Sequence, residues 1–299
     1  MQVINSVHAA RAACTQWREQ GQDIALVPTM GNLHEGHLAL VQQAKAQAKL
    51  VVVSIFVNPS QFAPGEDLDR YPRTLEADLA HLQPLNIAAV FAPSIAELYP
   101  SGVTASLTHV NVPHVATGLC ARSRPHFFCG VATIVTKLLN IFRPNVAIFG
   151  EKDFQQLQVV KALCRDLLIP TYIHGVPTLR ETTGLALSSR NQYLSPEQTL
   201  VASKLFTILT QTQQDILAHT EQQRLGTYLA SLCEHAQMAL VEFGFRMDYF
   251  EILDANNLQP VSFESTDVLI AVAAWLGETR LIDNVHFQLS PVQASPSQH

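Results

Sequence analysis

Ile24-Ala25-Leu26-Val27-Pro28-Thr29-Met30-Gly31-Asn32-Leu33-His34-Glu35-Gly36-His37 is the stretch on which the reading of this chain turns. Ile24 to Val27 is an apolar run of the kind found in buried strands. A glycine-bearing turn follows, and a helical pattern begins near Gly36. His34 and His37 fall where that helix starts. The first backbone N–H groups of a helix have no intrahelical partner, and the helix dipole favours negative charge there. Two imidazoles beside such an end can donate to phosphate oxygens, so the stretch reads as a phosphate cradle at the end of a parallel strand. A pair of histidines can also bind zinc. The spacing here is not His-Glu-x-x-His, however, and no cysteine pair or adjacent carboxylate completes a metal set. A plain strand-to-helix turn is the remaining alternative.

Outward from this stretch the chain alternates strand and helix. Leu38, Leu40, Val41, Ala44 and Ala48 form the apolar stripe of the next helix. Leu50–Val57 is nearly continuous and β-branched. Ile87–Phe91, Val146–Phe149 and Thr171–Val176 are further strands, with helices expected over about 73–83, 131–142 and 153–167. Such repetition implies a parallel sheet with right-handed crossovers and helices on both faces. Ligands of such sheets sit beyond the carboxyl ends of the strands, and three polar motifs follow predicted strands directly: 28–37, 58–62 and 150–156.

The second half changes character. Ser195-Pro196-Glu197-Gln198 is a helix start, with Ser as N-cap, Pro at the first position and Gln at the third. Val201, Leu205, Ile208, Leu209 and Ile216 continue at helical spacing, and a second helix is expected over 221–242. Met247–Leu253, Val268–Ala274 and Thr279–Val285 read as three strands. The expectation is therefore an α/β protein: a Rossmann-like parallel-sheet nucleotide-binding domain over 1–178, a smaller C-terminal α+β domain over 179–289, and a flexible Pro/Ser-containing tail over 290–299.

Composition narrows the function classes. The chain has 299 residues, 47% hydrophobic and 15% charged, as in a globular enzyme. A net charge of −6 without a Lys/Arg block argues against a nucleic-acid surface. The five cysteines form no Cys-x-x-Cys, which points to a reducing, cytoplasmic setting. No apolar stretch is long enough to span a bilayer.

Several loops carry candidate chemistry. Asn58-Pro59-Ser60-Gln61-Phe62 offers amides that donate and accept. Residues 63–74, with Gly65, Glu66, Asp67, Asp69, Arg70, Tyr71 and Arg73, have the polarity and length of a lid. Lys152, in Gly150-Glu151-Lys152-Asp153-Phe154-Gln155-Gln156, stands at a helix start where the dipole disfavours a cation, as a phosphate-binding lysine would. Leu187-Ser188-Ser189-Arg190-Asn191 supplies two hydroxyls and a guanidinium fork. Walker, Gly-x-Ser-x-Gly and Gly-x-Gly-x-x-Gly patterns are absent.

Taken together, Pro28–His37, Val57–Phe62, Arg70-Tyr71-Pro72-Arg73-Thr74, Phe149–Gln156 and Leu187–Asn191 resemble, in order, the motifs of the pantothenate synthetases (pantoate–β-alanine ligases), over about residues 1–285. The resemblance implies a fold like that of class I tRNA synthetases and nucleotidyltransferases. It implies an ATP-dependent ligase that joins pantoate to β-alanine through a pantoyl adenylate, releasing AMP and pyrophosphate. Mg²⁺ would accompany the ATP. It further implies His37, His34 and Lys152 as catalytic residues. The ATP site would comprise Met30, Gly31, Asn32, Leu33, His34, Glu35, Gly36, His37, Gly150, Glu151, Lys152, Asp153, Leu179, Leu187, Ser188, Ser189 and Arg190. Gln61 and Gln156 would hold pantoate, with Gln61 also near β-alanine, and 63–74 would cover the site. A homodimer, and in some relatives a further C-terminal domain, are also implied; no protein-held metal is. Two departures stand out. Arg124-Pro125-His126-Phe127-Phe128-Cys129-Gly130-Val131 has His126 and Phe127 where the family shows Gly and His. Ser60 replaces a larger apolar residue, which would loosen the pantoate pocket. The rival readings are a nucleotidyltransferase acting on another small acid and a non-catalytic nucleotide sensor.

Overall fold

In a computed structural model, residues 1–63, 65–106, 108–219 and 225–289 are described. The expected tail 290–299 lies outside them. The chain divides into two compact units, one of Met1–Leu179 with Leu187–Ser189, the other of Arg180–Ala186 with the residues from Arg190 onward.

The first unit is built on β1 (Gln2–Ile4), β2 (Ile24–Thr29), β3 (Leu50–Ile55), β4 (Ala89–Phe91), β5 (Val146–Gly150) and β6 (Tyr172–Val176), in sheet order β1-β4-β3-β2-β5-β6. Every pairing is parallel, in keeping with the largely apolar central strands β2, β3 and β5. Helices α1 (Val7–Glu19), α2 (Glu35–Gln47), α3 (Leu75–Leu82), α4 (Ile95–Leu98), α5 (Leu119–Ser123), α6 (Phe127–Phe142) and α7 (Phe154–Asp166) fill the crossovers. Strand alternation divides the core into two layers. Ala25, Val27, Val51, Val53, Val90 and Ile148 pack with Val41 and Ala44 of α2 and Leu82 of α3. Phe91, next to Val90, faces the other way and meets Phe142 of α6 edge-on at 5.2 Å between centroids.

From β2 the chain moves to β3 and then β4 on one side of the sheet, and returns to β5 on the other. The carboxyl ends of β2 and β5 therefore flank the switch point of the sheet, where α/β proteins bind ligands. The 28–37 and 150–156 motifs stand at those two ends.

The apolar patterns mark no strand before Ile24–Val27, whereas the structure places β1 and α1 there. β1 is a three-residue edge strand with only Ile4 buried, too short to carry a periodic signal.

The second unit contains α8 (Pro196–Ala202), α9 (Lys204–Ala218), α10 (Gly226–Glu242) and an antiparallel sheet of β7 (Arg246–Asp254), β8 (Asp267–Leu276) and β9 (Thr279–Gln288). Ser195 and Gln198 form the expected capping box. The single run read onward from Pro196 is two helices, parted at Ser203, whose hydroxyl bonds the Leu200 carbonyl at 2.8 Å. Of the helix expected over 221–242, residues 221–224 lie outside the described ones. Leu205, Leu209, Ile216 and Leu240 bury against Phe250, Val268, Ile270 and Val272. Arg180 is held bidentately by Asp283 at 2.6 and 2.9 Å and stacks on Phe206 at 3.8 Å.

Candidate active site

β2 ends in a turn whose geometry needs a glycine. Gly31 has φ 83°, and a Cβ there would lie 2.9 Å from Asp78 Oδ2 and 3.1 Å from Ile55 Cγ2. Asp78 of α3 is 1% exposed, and its carboxylate receives the backbone N–H of Asn32 at 3.1 Å and of Leu33 at 2.8 Å. Thr74 Oγ1 donates to the same carboxylate at 3.3 Å. A buried carboxylate thus holds the turn in shape. Sequence spacing does not reveal Asp78, because the turn that it holds lies more than forty residues away.

Where the turn enters α2, the two histidines cap the helix and each other. Gly36 N–H donates to His34 Nδ1 at 3.1 Å, and His34 N–H donates to His37 Nδ1 at 3.3 Å. A ring nitrogen that accepts a backbone N–H carries no proton, so each neutral ring has its hydrogen on Nε2. The rings lie 4.1 Å apart between centroids. Burial, then the Lys152 charge, lowers the His34 pKa to about 4. Burial, then His34 and Lys152, lowers that of His37 to about 3. Both are neutral N–H donors at ordinary pH. Gly36 permits the cap, since a Cβ there would come within 2.8 Å of His34 Cε1.

Across the switch point, Gly150 ends β5 and Lys152 follows in a short 3₁₀ turn, Glu151–Asp153, ahead of α7. Its ammonium is 3.8 Å from Asp153 Oδ2 and bears electrostatically on both imidazoles. Leu187, Ser188 and Ser189, placed after residue 179 by the sequence reading, group with the first unit. Leu187 N–H donates to Leu179 O at 3.0 Å, and Ser189 Oγ to Asn32 O at 3.4 Å. Met30 to His37, Lys152, Ser188 and Ser189 thus belong to one unit, whereas Arg190 belongs to the other.

The 58–62 motif follows β3. Asn58 is 1% exposed and Gln61 is 8% exposed. Asn58 Nδ2 donates to Gln61 Oε1 at 3.0 Å, and Gln61 Nε2 reaches Met30 Sδ at 3.2 Å. The amide therefore adjoins the turn that ends β2. Ser60 exchanges apolar bulk for hydrogen bonds: its Oγ lies 3.0 Å from Asn58 Oδ1 and 3.1 Å from Tyr99 OH. Of the two neighbouring glutamines, Gln155 is buried and spans Cys120 N, Val115 O and Thr117 O, a structural role. Gln156 is half-buried on the first turn of α7.

The segment after Gln61 is pinned at two points. Tyr71 is buried edge-on against Phe62, and Arg124 grips Glu66 bidentately at 2.7 and 2.6 Å. Arg124 also donates to Gln61 O at 3.1 Å and lies 3.9 Å over the Phe127 ring. Phe127, standing at the family's histidine position, thus serves as a platform for Arg124. His126 is exposed at the start of α6, and its side chain caps nothing.

Among the described residues, no group of three or more His, Cys, Asp or Glu is placed to hold a metal ion. Among them, no helix is long and apolar enough to cross a membrane.

The sequence model of the pantoate-beta-alanine ligase family matches residues 2–286. A pantothenate synthetase of Pseudomonas savastanoi pv. phaseolicola is 49% identical over 290 residues, covering 97% of this chain and all of that protein. A pantothenate synthetase structure from Thermus thermophilus has 42% identity and a TM-score of 0.83, over 95% of this chain and 99% of that one. A pantoate-beta-alanine ligase from Francisella tularensis, complexed with beta-gamma ATP and beta-alanine, has 33% identity and a TM-score of 0.77, covering 95% and 97% of the two chains. A family model matching nearly the whole chain, together with relatives of this identity and coverage, shows that the chain belongs to the pantoate–β-alanine ligase family.

Proposed function

We propose that the protein activates pantoate as an acyl adenylate at the β2/β5 switch point and then joins it to β-alanine. In the first step a pantoate carboxylate oxygen forms a bond to the α-phosphorus of ATP. The bond from that phosphorus to the bridging oxygen breaks, and pyrophosphate leaves. In the second step the β-alanine amine attacks the acyl carbon, its proton passes to solvent, and AMP departs with the electron pair. The substrates supply nucleophile and leaving group, so the protein's task is positioning and charge stabilisation. The Francisella relative with bound nucleotide and β-alanine supports both as ligands here.

The reading rests above all on the two imidazoles. Backbone N–H groups occupy Nδ1 of both His34 and His37, which leaves two Nε2–H donors at a helix N-terminus, with the Lys152 charge beside them. Neutral donors and one cation suit a phosphoryl group that gains charge in transit. Ser188 and Ser189 would extend this set along the triphosphate, and Gln61 and Gln156 would bind pantoate. With Nδ1 of both rings accepting a backbone N–H and the hydrogen on Nε2, neither imidazole has a lone pair left for a resident dication, and the ammonium beside them repels one. Mg²⁺ would arrive on the ATP phosphates. All five cysteines are thiols, which supports a reducing, cytoplasmic setting. A homodimer is carried over from the resemblance, and light scattering checks it.

The test is AMP and pyrophosphate release from ATP, Mg²⁺ and pantoate, with and without β-alanine, beside His37→Ala. Turnover that needs both acids and collapses in the variant supports the reading. Nucleotide binding without pantoate-dependent pyrophosphate release sinks it.

A further inference from the structure

The orientation of an amide is a chemical property of a pocket, since one end donates and the other accepts. Around Asn58 a carbonyl at one end identifies it and two hydroxyls at the other hold it. Gly130 O can only accept, and it lies 3.2 Å from one end of the Asn58 amide, so that end is Nδ2. The same Nδ2 is 3.0 Å from the Gln61 side chain, so the Gln61 atom facing it is Oε1. The Gln61 NH2 is thereby turned away from Asn58 and toward Met30, 3.2 Å distant. At the other end of Asn58, Oδ1 receives Tyr99 OH at 2.7 Å and Ser60 Oγ at 3.0 Å, and these hydroxyls lie 3.1 Å from each other. Each of the four hydrogen-bonding positions of this buried amide is taken.

We propose that Ser60 and Tyr99 are positioning residues: through Asn58 they hold the Gln61 amide with its NH2, not its carbonyl, presented to the acid substrate. An NH2 suits an anionic, hydroxylated acid, which offers acceptor oxygens. A carbonyl in its place would repel the carboxylate. The inference rests on the reading of Gln61 as a pantoate-binding residue. Tyr99 is itself fixed from behind, since Lys137 donates to Leu98 O at 2.6 Å and stacks 3.6 Å over the Tyr99 ring. A buried Oδ1 that loses both hydroxyls has no donor left, and the Asn58 amide, now held only through Nδ2 by Gly130 O and Gln61 Oε1, loses half of the bonds that fix it and Gln61 with it.

The experiment compares Ser60→Ala, Tyr99→Phe, their double variant and Gln61→Ala. KM for pantoate, KM for ATP and the thermal midpoint are measured for each. Single hydroxyl losses are expected to raise the pantoate KM roughly two- to threefold, and the double variant at least about tenfold, as the net worth of such bonds implies. The ATP KM should stay within about twofold, because the nucleotide turn is held separately by Asp78. Ser60→Thr, which restores the hydroxyl, should recover the pantoate KM. If Gln61→Ala raises the pantoate KM but the double variant does not, the positioning role is wrong and the pocket stands. If Gln61→Ala leaves that KM unchanged, the pocket reading itself has failed, and the inference with it. A double variant that raises both KM values equally while melting earlier shows general loosening, and also overturns the proposal.

Discussion

The carboxylate of Asp78 receives the backbone N–H of Leu33 at 2.8 Å, across forty-five positions of sequence. This bond ties α3 to the turn that ends β2, and Thr74, the residue preceding α3, joins the same carboxylate. The turn that ends β2 and the end of segment 65–74 therefore share one buried anchor.

Asp78→Asn tests that anchor. The amide would set its own NH2 against a backbone N–H or the Thr74 hydroxyl, leaving a donor unpaired in a buried place. A stability loss of about 1–3 kcal/mol is expected from denaturant unfolding. The ATP KM should rise while the pantoate KM stays near its original value. An unchanged ATP KM would separate the anchor from the nucleotide site.

The two imidazoles make a pH prediction. Folded, they titrate at about 4 and about 3; unfolded, near 6.5. Between those values the unfolded chain binds more protons, so the stability they contribute is complete above about 6.5 and is lost as pH falls toward 4 and 3. A protonated His37 Nδ1 would also point a hydrogen at the His34 N–H and break the cap. The denaturation midpoint should fall with acidification over this window, and His37→Asn should flatten the slope by up to about one proton. An equal slope in wild type and variant would contradict the neutral, buried ring.

Gly130→Ala should be poorly tolerated. A Cβ on Gly130 would lie 2.4 Å from Ser60 O and 2.8 Å from Gln61 Cα, backbone atoms that cannot rotate away. Either α6 or the 59–61 turn must shift, at a cost of about 1–3 kcal/mol or more in unfolding experiments. Because Gly130 O also orients Asn58, the pantoate KM should rise as well.

Arg124→Ala removes the grip on Glu66 and on the Gln61 carbonyl together. If segment 63–74 covers an acyl adenylate, loosening it admits water. Pyrophosphate release without β-alanine should then increase relative to pantothenate formed, which a coupled pyrophosphate assay reads directly. A ratio equal to wild type would argue against a covering role.

Local patterns carried most of the architecture. The apolar runs of β2 and β5 and the nearly continuous one of β3, broken only by Ser54, marked strands buried on both faces, where polar side chains are costly. The glycine and histidines after β2 marked a strand-to-helix turn, and Ser195 with Gln198 marked a helix start, because caps act within one turn of backbone. The short edge strand β1 left no such trace, having too few residues for a period. Nor did Ser203 show that one apparent helix is two, since a break in hydrogen bonding need not break apolar spacing.

What the sequence by itself determined about this protein is the set of chemical groups and their order: imidazoles, lysine, amides and hydroxyls, each at the end of a recognisable element. The tertiary structure alone decided how those groups are aimed. Asp78 reaches Leu33, Tyr99 reaches Asn58, Gly130 O selects the end of an amide, and Arg124 grips Glu66. These are contacts between residues distant in sequence, created when the sheet brings its strand ends together. Hydrogen bonding depends on distances of a few tenths of an ångström and on direction, neither of which residue spacing encodes. The same physics explains why Gln155 is a brace and its neighbour Gln156 is only half-buried: successive residues of a helix point about 100° apart, and only the packed chain shows which direction is inward.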